Sequence, residues 1–95
     1  VAIFCAGFKG AFALDDAFCA GRIVQTLGGA GTTDAAGAAA LLARSYPTPL
    51  AGLNARRYGP PGLEDDIEFC AKENLLSTVP RFARMVGPAA EIVAG

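Results

Sequence analysis

The 95-residue sequence contains no histidine and no tryptophan, and only 18% of its residues are charged, against about 25% in an average globular protein. Without histidine, no serine–histidine or cysteine–histidine dyad can be assembled from this chain alone. Histidine-ligated zinc and a phosphohistidine intermediate are excluded on the same ground. The formal net charge of -1 offers no electrostatic case for nucleic acid or an anionic membrane surface. A membrane span needs roughly 18 consecutive apolar residues. No such run exists here, because Asp15, Arg22, Asp34, Arg44, Arg56 and Glu64 interrupt the chain at intervals. No basic n-region, apolar h-region and cleavage site marks a secretory signal. The sequence therefore reads as a cytoplasmic protein that engages neither nucleic acid nor membrane.

What is present is apolar but small. Hydrophobic residues make up 53% of the chain, and much of that share is alanine. This composition excludes a disordered tail and suits tightly packed layers of helix and sheet. Cys5, Cys19 and Cys70 are odd in number, and none forms a CxxC pair. They read as three buried free thiols in a reducing cytosol.

The pattern along the chain alternates between strand-like and helical segments. Residues 1–6, Val-Ala-Ile-Phe-Cys-Ala, form a continuous apolar run that predicts a central strand buried on both faces. A strand that opens in mid-core leads to the expectation that the chain is the C-terminal portion of a larger two-part protein. Gly7 to Gly10 is a glycine-bounded turn, and Leu14 to Leu27 carries a helical period with Asp15 and Asp16 in its first turn. Gly28 to Gly31 reads as the stop of that helix. Thr32, Thr33 or Asp34 caps an alanine-rich helix to about Arg44 or Ser45, and a short helix over roughly 49–58 ends at Arg56-Arg57-Tyr58-Gly59. Leu63 to Asp66 predicts one acidic helical turn, and Ile67 to Cys70 alternates as a second strand. A short helix is expected to begin within 75–79, and Ala90 to Val93 reads as a terminal edge strand. Long crossovers between strands predict a single α/β domain over 1–95, a layered αβα arrangement with a partly parallel sheet.

Three constellations carry chemistry. The first is Cys5 to Gly10 followed by Asp15-Asp16. In an α/β sheet, ligands bind beyond the carboxyl ends of strands. There Gly7 and Gly10 let backbone amides approach an anion, Lys9 adds a point charge, and Asp15 and Asp16 offer carboxylates to Mg²⁺. A tight turn followed by acids at a helix start is the plainer reading of the same residues. The loop is neither GxxxxGK[ST] nor GxGxxG. The second is Arg56-Arg57, whose guanidinium groups suit a phosphate, carboxylate or sulfonate, or else simply complement a helix end. The third, Glu64-Asp65-Asp66, fits a solvated helix start better than a metal site.

The order of these segments matters more than any one of them. Val1 to Gly7, Lys9-Gly10, Leu14-Asp15-Asp16 and Cys19-Ala20-Gly21 form a linked series. Arg56-Arg57, Asp66 to Ala71 and Val79-Pro80 follow it. The series, over about residues 1–80, resembles the C-terminal half of the 2-phosphosulfolactate phosphatase family of coenzyme M biosynthesis. The resemblance implies an α/β fold and Mg²⁺-dependent hydrolysis of 2-phospho-3-sulfolactate, or a related 2-hydroxyacid phosphate, to 3-sulfolactate and phosphate. It implies metal or acid–base roles for Asp15 and Asp16, with Asp16 the stronger candidate. Gly7, Lys9, Gly10, Arg56 and Arg57 would bind the phosphate ester. The N-terminal half of the same protein would supply further site residues, and a homo-oligomer is compatible with the pattern. Two departures stand out: Asp15-Asp16 replaces a common Glu-Asp, and Asn54-Ala55 stands where a histidine often precedes Gly-Arg. The competing reading is a non-catalytic anion-binding or interface domain of a larger protein.

Overall fold

The computed structural model describes residues 1–28, 32–57 and 59–95. Helix α1 spans Leu14–Thr26, α2 Asp34–Arg44, α3 Pro49–Asn54 and α4 Glu64–Cys70, and strands β1 (Pro80–Val86) and β2 (Ala89–Ala94) close the order. Helices and strands thus coexist, as an α/β chain requires. Among the described residues the strands form one two-stranded antiparallel sheet.

The helix boundaries follow local chemistry. Thr33 caps α2 by accepting the Ala36 amide, and Thr48 caps α3 by accepting the Ala51 amide, with Pro49 at the start, where its missing N–H does no harm. Helix α1 stops at Gly28, whose φ of 85° only glycine adopts readily, with its amide bonded to the Gln25 carbonyl. The remainder of the expected stop, Gly29 to Gly31, lies outside the described residues, as does Tyr58.

Helix α1 is the hub, packing against both α2 and α3. Its buried positions are Ala17, Phe18, Ala20, Gly21 and Val24, and those of α2 are Ala40 and Ala43. Small side chains let the two helices approach at backbone distance. A Cβ on Gly21 would collide with the Ala39 carbonyl and lie 2.9 Å from the Ala43 Cβ. A Cβ on Gly52 of α3 would likewise run into the Phe18 ring. Phe18 also stacks edge-to-face on Tyr46 at 5.9 Å between centroids. Gln25 reaches across to the Ala40 carbonyl.

Several expectations are corrected. Residues 1–6 form no strand: they run without regular structure, and Phe4 is 92% exposed. An apolar run supplies the side chains of a buried strand, but pairing needs a neighbouring backbone that the described residues do not offer. Ile67 to Cys70 is helical, continuing the acidic turn as α4, with the Ile67 amide on the Leu63 carbonyl and the Ala71 amide on Ile67. Four alternating residues are too few to separate period two from period 3.6. No helix forms at 75–79, and the helix expected over 49–58 ends at Asn54. Cys5, Cys19 and Cys70 are free but exposed rather than buried.

The terminal strand is present, and its partner is a segment the sequence pattern did not single out. Gly87, at φ 60°, and Pro88 make the two-residue turn that pairs Val86 with Ala89. A bulge between Phe82 and Arg84 shifts the register, so that Arg84 faces Glu91 and bonds it at 2.6 Å. Phe82, Met85, Val86 and Ile92 are all more than half exposed. The radius of gyration, 15.0 Å, exceeds the about 12 Å expected for a compact domain of this length. None of the described helices is long and apolar enough to cross a membrane.

The α1–α2 contact yields a stability prediction. Gly21→Val forces a branched side chain into the Ala39 carbonyl, and overpacking of this kind destabilises by about 1–3 kcal/mol. A lowered urea midpoint with an unchanged slope is expected. An unchanged midpoint would mean that α1 and α2 do not meet at backbone distance.

Candidate functional site

The site is built where the N-terminal segment enters α1. Phe8 and Ala11 exchange two backbone hydrogen bonds, each 3.0 Å, around Lys9 and Gly10. Both central residues have positive φ, 50° at Lys9 and 76° at Gly10, as a type I′ turn demands. Glycine meets that demand without strain, whereas lysine in the left-handed region does so at some cost. The Lys9 ammonium lies 5.5 Å from the Phe8 ring centroid, within cation–π range.

Gly7 precedes this turn at φ 72° and has no room for a side chain, since a Cβ there would sit 2.6 Å from the Ala11 carbonyl oxygen. Its amide donates to Asp16 Oδ2 at 2.7 Å, the short distance of a charge-assisted hydrogen bond. Asp15 Oδ1 accepts the Asp16 amide at 3.0 Å. Both acids lie in the first turn of α1, whose N-cap Ala13 contributes no side-chain oxygen. Carboxylates there are favoured by the helix dipole. Asp15 and Asp16 are half-buried, while Lys9 and Gly10 are exposed.

The structure therefore brings together five of the residues singled out from the sequence: Gly7, Lys9, Gly10, Asp15 and Asp16. Arg56 and Arg57 follow α3 beyond its C-cap Ala55, the first half-buried and the second exposed. Helix α3 itself is held on α1 through Gly52 and Phe18. The bond from Gly7 to Asp16 was not legible in the sequence. Its signal was a glycine needing positive φ, nine residues ahead of an acid in a helix whose N-cap lacks a side-chain acceptor.

The amides of the loop are already divided. Those of Phe8 and Ala11 close the turn and that of Gly7 is held by Asp16, so among the described residues Lys9 and Gly10 keep amides without an internal partner. Magnesium binds through one or two carboxylates, with water and phosphate oxygens completing its shell. The adjacent Asp15 and Asp16 match that minimal donor set. No group of three or more carboxylates or thiols among the described residues could enclose a metal.

An apolar groove of about 690 Å³ lies between residues 1–5 and the faces of α1 and α2, lined by Ile3, Phe12, Ala17, Val24 and Ala36 among others. It contains none of the charged residues of the turn and does not suit a polyanion. Glu73 is tied to Arg22 of α1 by a 2.7 Å salt bridge that is open to solvent. An exposed pair of this kind adds little stability.

Cys19, on the second turn of α1, has its thiol pKa pushed above the ordinary value. The residue as a whole is exposed, but neighbouring atoms partly desolvate its sulfur, which is the main cause; the carboxylates of Asp15 and Asp16, then the thiolates of Cys5 and Cys70, add to it. Each disfavours a negative charge on sulfur, which is opposite to the cationic setting of a reactive thiolate. Iodoacetamide alkylation of Cys19, followed by peptide mass spectrometry against pH, is expected to reach half-maximal rate at a higher pH than in an unstructured peptide. A midpoint at or below the peptide's would contradict this electrostatic account.

A family profile described as 2-phosphosulpholactate phosphatase matches residues 1–84. A protein of Thermus thermophilus, named probable 2-phosphosulfolactate phosphatase, is 38% identical over 96 residues, covering 94% of this chain and 40% of the relative. One of Gloeobacter violaceus with the same name is 38% identical over 79 residues, covering 79% of this chain and 34% of the relative. The 2-phosphosulfolactate phosphatase of Methanothermobacter thermautotrophicus is 35% identical over 85 residues, covering 84% of this chain and 37% of the relative. The chain thus spans between about a third and two fifths of the length of the curated relatives it matches. With most of its length matched by the profile and by these relatives, the chain belongs to the 2-phosphosulpholactate phosphatase family.

Proposed function

We propose that the complete protein is a cytoplasmic, Mg²⁺-dependent phosphatase that hydrolyses 2-phospho-3-sulfolactate, or a related 2-hydroxyacid phosphate, to 3-sulfolactate and phosphate. The observation that carries this reading is the joining of the Gly7–Gly10 turn to the acid pair of α1 through the Gly7 amide and Asp16. The family match supports the reaction class. In this reading Asp15 and Asp16 hold the metal, and bound Mg²⁺ supplies polarisation of the phosphoryl oxygens. The Lys9 and Gly10 amides and the Lys9 ammonium face the phosphate, while Arg56 and Arg57 neutralise the remaining anionic groups of the substrate. Gly7 serves the turn rather than the phosphate, because its amide is already donated.

The same reading extends to the fold. The full enzyme is a layered αβα structure with a partly parallel sheet, in which residues 1–6 pair with strands of the N-terminal half. Support comes from the exposed apolar side chains of Val1 and Phe4 and from the greater length of the relatives. The exposed apolar faces also suit a second reading, a non-catalytic anion-binding or interface domain. That reading gives the acid pair beside the turn no role, since carboxylates repel an anion unless a cation lies between them.

Phosphate release from 2-phospho-3-sulfolactate by the complete protein separates the two readings. Turnover that needs Mg²⁺ and stops with a chelator is expected, and Arg57→Ala should raise KM about tenfold, equivalent to about 1.4 kcal/mol of lost binding. No phosphate release from any phosphorylated 2-hydroxyacid would favour the interface reading. Turnover indifferent to chelator would remove the metal from the proposal.

A further inference from the structure

We infer that Asp16, besides the metal role proposed above, is a positioning residue whose Oδ2 latches the Gly7 amide and so fixes the Phe8–Ala11 turn on the N-terminus of α1. The inference rests on the phosphatase reading for its consequence but not for its geometry. Gly7 is confined from two sides. A Cβ on it would lie 2.6 Å from the Ala11 carbonyl oxygen, so no side chain fits, and its amide is bonded to Asp16 at 2.7 Å. The ring closed from Gly7 to Asp16 contains the two bridge hydrogen bonds of the turn. Asp16 stands in a turn of α1 that is packed through its neighbours Ala17 and Phe18, both buried. The carboxylate thus transmits the placement of a rigid helix to a turn that otherwise touches solvent.

The consequence concerns the groups the turn carries. Lys9 and the amides of Lys9 and Gly10 follow the orientation of Gly7, because only Phe8, itself bonded to Ala11 across the turn, stands between Gly7 and Lys9. A misplacement of binding groups by about 1 Å costs on the order of 10²-fold in rate. An aspartate in this place therefore acts on substrate through the backbone it holds. Only the Oδ2 acceptor is needed for the latch, which separates it from any function of the negative charge.

Asparagine preserves an acceptor oxygen at the same reach and removes the charge, whereas alanine removes both. The complete protein, with Asp16→Asn and Asp16→Ala, is compared by amide hydrogen exchange at Gly7 and by kinetics at saturating Mg²⁺. The Gly7 amide is expected to be protected in the parent and in Asp16→Asn, and to exchange at least tenfold faster in Asp16→Ala. Asp16→Ala should also show a KM at least tenfold above that of Asp16→Asn, while kcat falls in both. Equal exchange in all three proteins, or equal KM in the two variants, would overturn the inference. The parent measurement needs no variant: an unprotected Gly7 amide in the folded parent overturns the latch even if Asp16→Ala fails to fold. If the complete protein releases no phosphate, the phosphatase reading fails while the exchange data still decide the latch.

Discussion

The packing of α2 and α3, and the placement of the N-terminal turn, depend on how closely α1 lets its neighbours approach. Gly21 admits the backbone of α2, and Gly52 admits the Phe18 ring, so both partner helices are seated by the absence of a side chain. Among the described residues the buried apolar set is correspondingly small: Ala13, Ala17, Phe18, Ala20, Val24, Ala40 and Ala43, with Phe18 its only large side chain. A core of this kind gains through dispersion at short range more than through buried area. It tolerates no added volume at the contact, but it holds α1 in a definite place, and the N-terminal turn inherits that definition through Asp16.

This division of labour explains which parts of the fold were legible. The spans of α1 and α2 followed from periodicity, caps and glycine stops, all of which act within a few residues. Residues 1–6, which form no strand in this chain alone, and Ile67 to Cys70, which is helical, depart from expectation for opposite reasons. Val1 to Ala6 has the composition of a central strand, but a strand exists only when a second backbone accepts its hydrogen bonds. Ile67 to Cys70 has an alternating pattern, yet three acids immediately before it favour the start of a helix that then runs on. Of the hairpin, β2 was expected at Ala90 to Val93, but β1 escaped notice because arginines at 81 and 84 break the apolar alternation, and the bulge after Phe82 moves the register.

The candidate site was legible as a set of residue types and not as a geometry. Gly7, Lys9, Gly10, Asp15 and Asp16 could be grouped because they are close in sequence. Which of the glycines serves the turn and which leaves an amide open depends on φ and on a bond across nine residues. No local rule supplies that. Arg56 and Arg57 are brought onto the same helical framework by α3, through a glycine–aromatic contact that no motif announces.

The latch also changes how an acid pair at a helix start should be weighed as metal-binding. A carboxylate can accept from a helix amide, from a loop amide or bind a cation, and each oxygen engaged in one use is poorer for the others. In this chain Asp15 Oδ1 is engaged with the Asp16 amide and Asp16 Oδ2 with the Gly7 amide. A cation held by this pair therefore takes the larger part of its coordination from water, substrate or residues outside the chain, as magnesium characteristically does and calcium does not. In the proposed enzyme such a site would gain most of its affinity only when the phosphate arrives. Metal and substrate would then bind in mutual dependence, with the latched turn, rather than the carboxylates alone, setting where the phosphoryl group comes to rest.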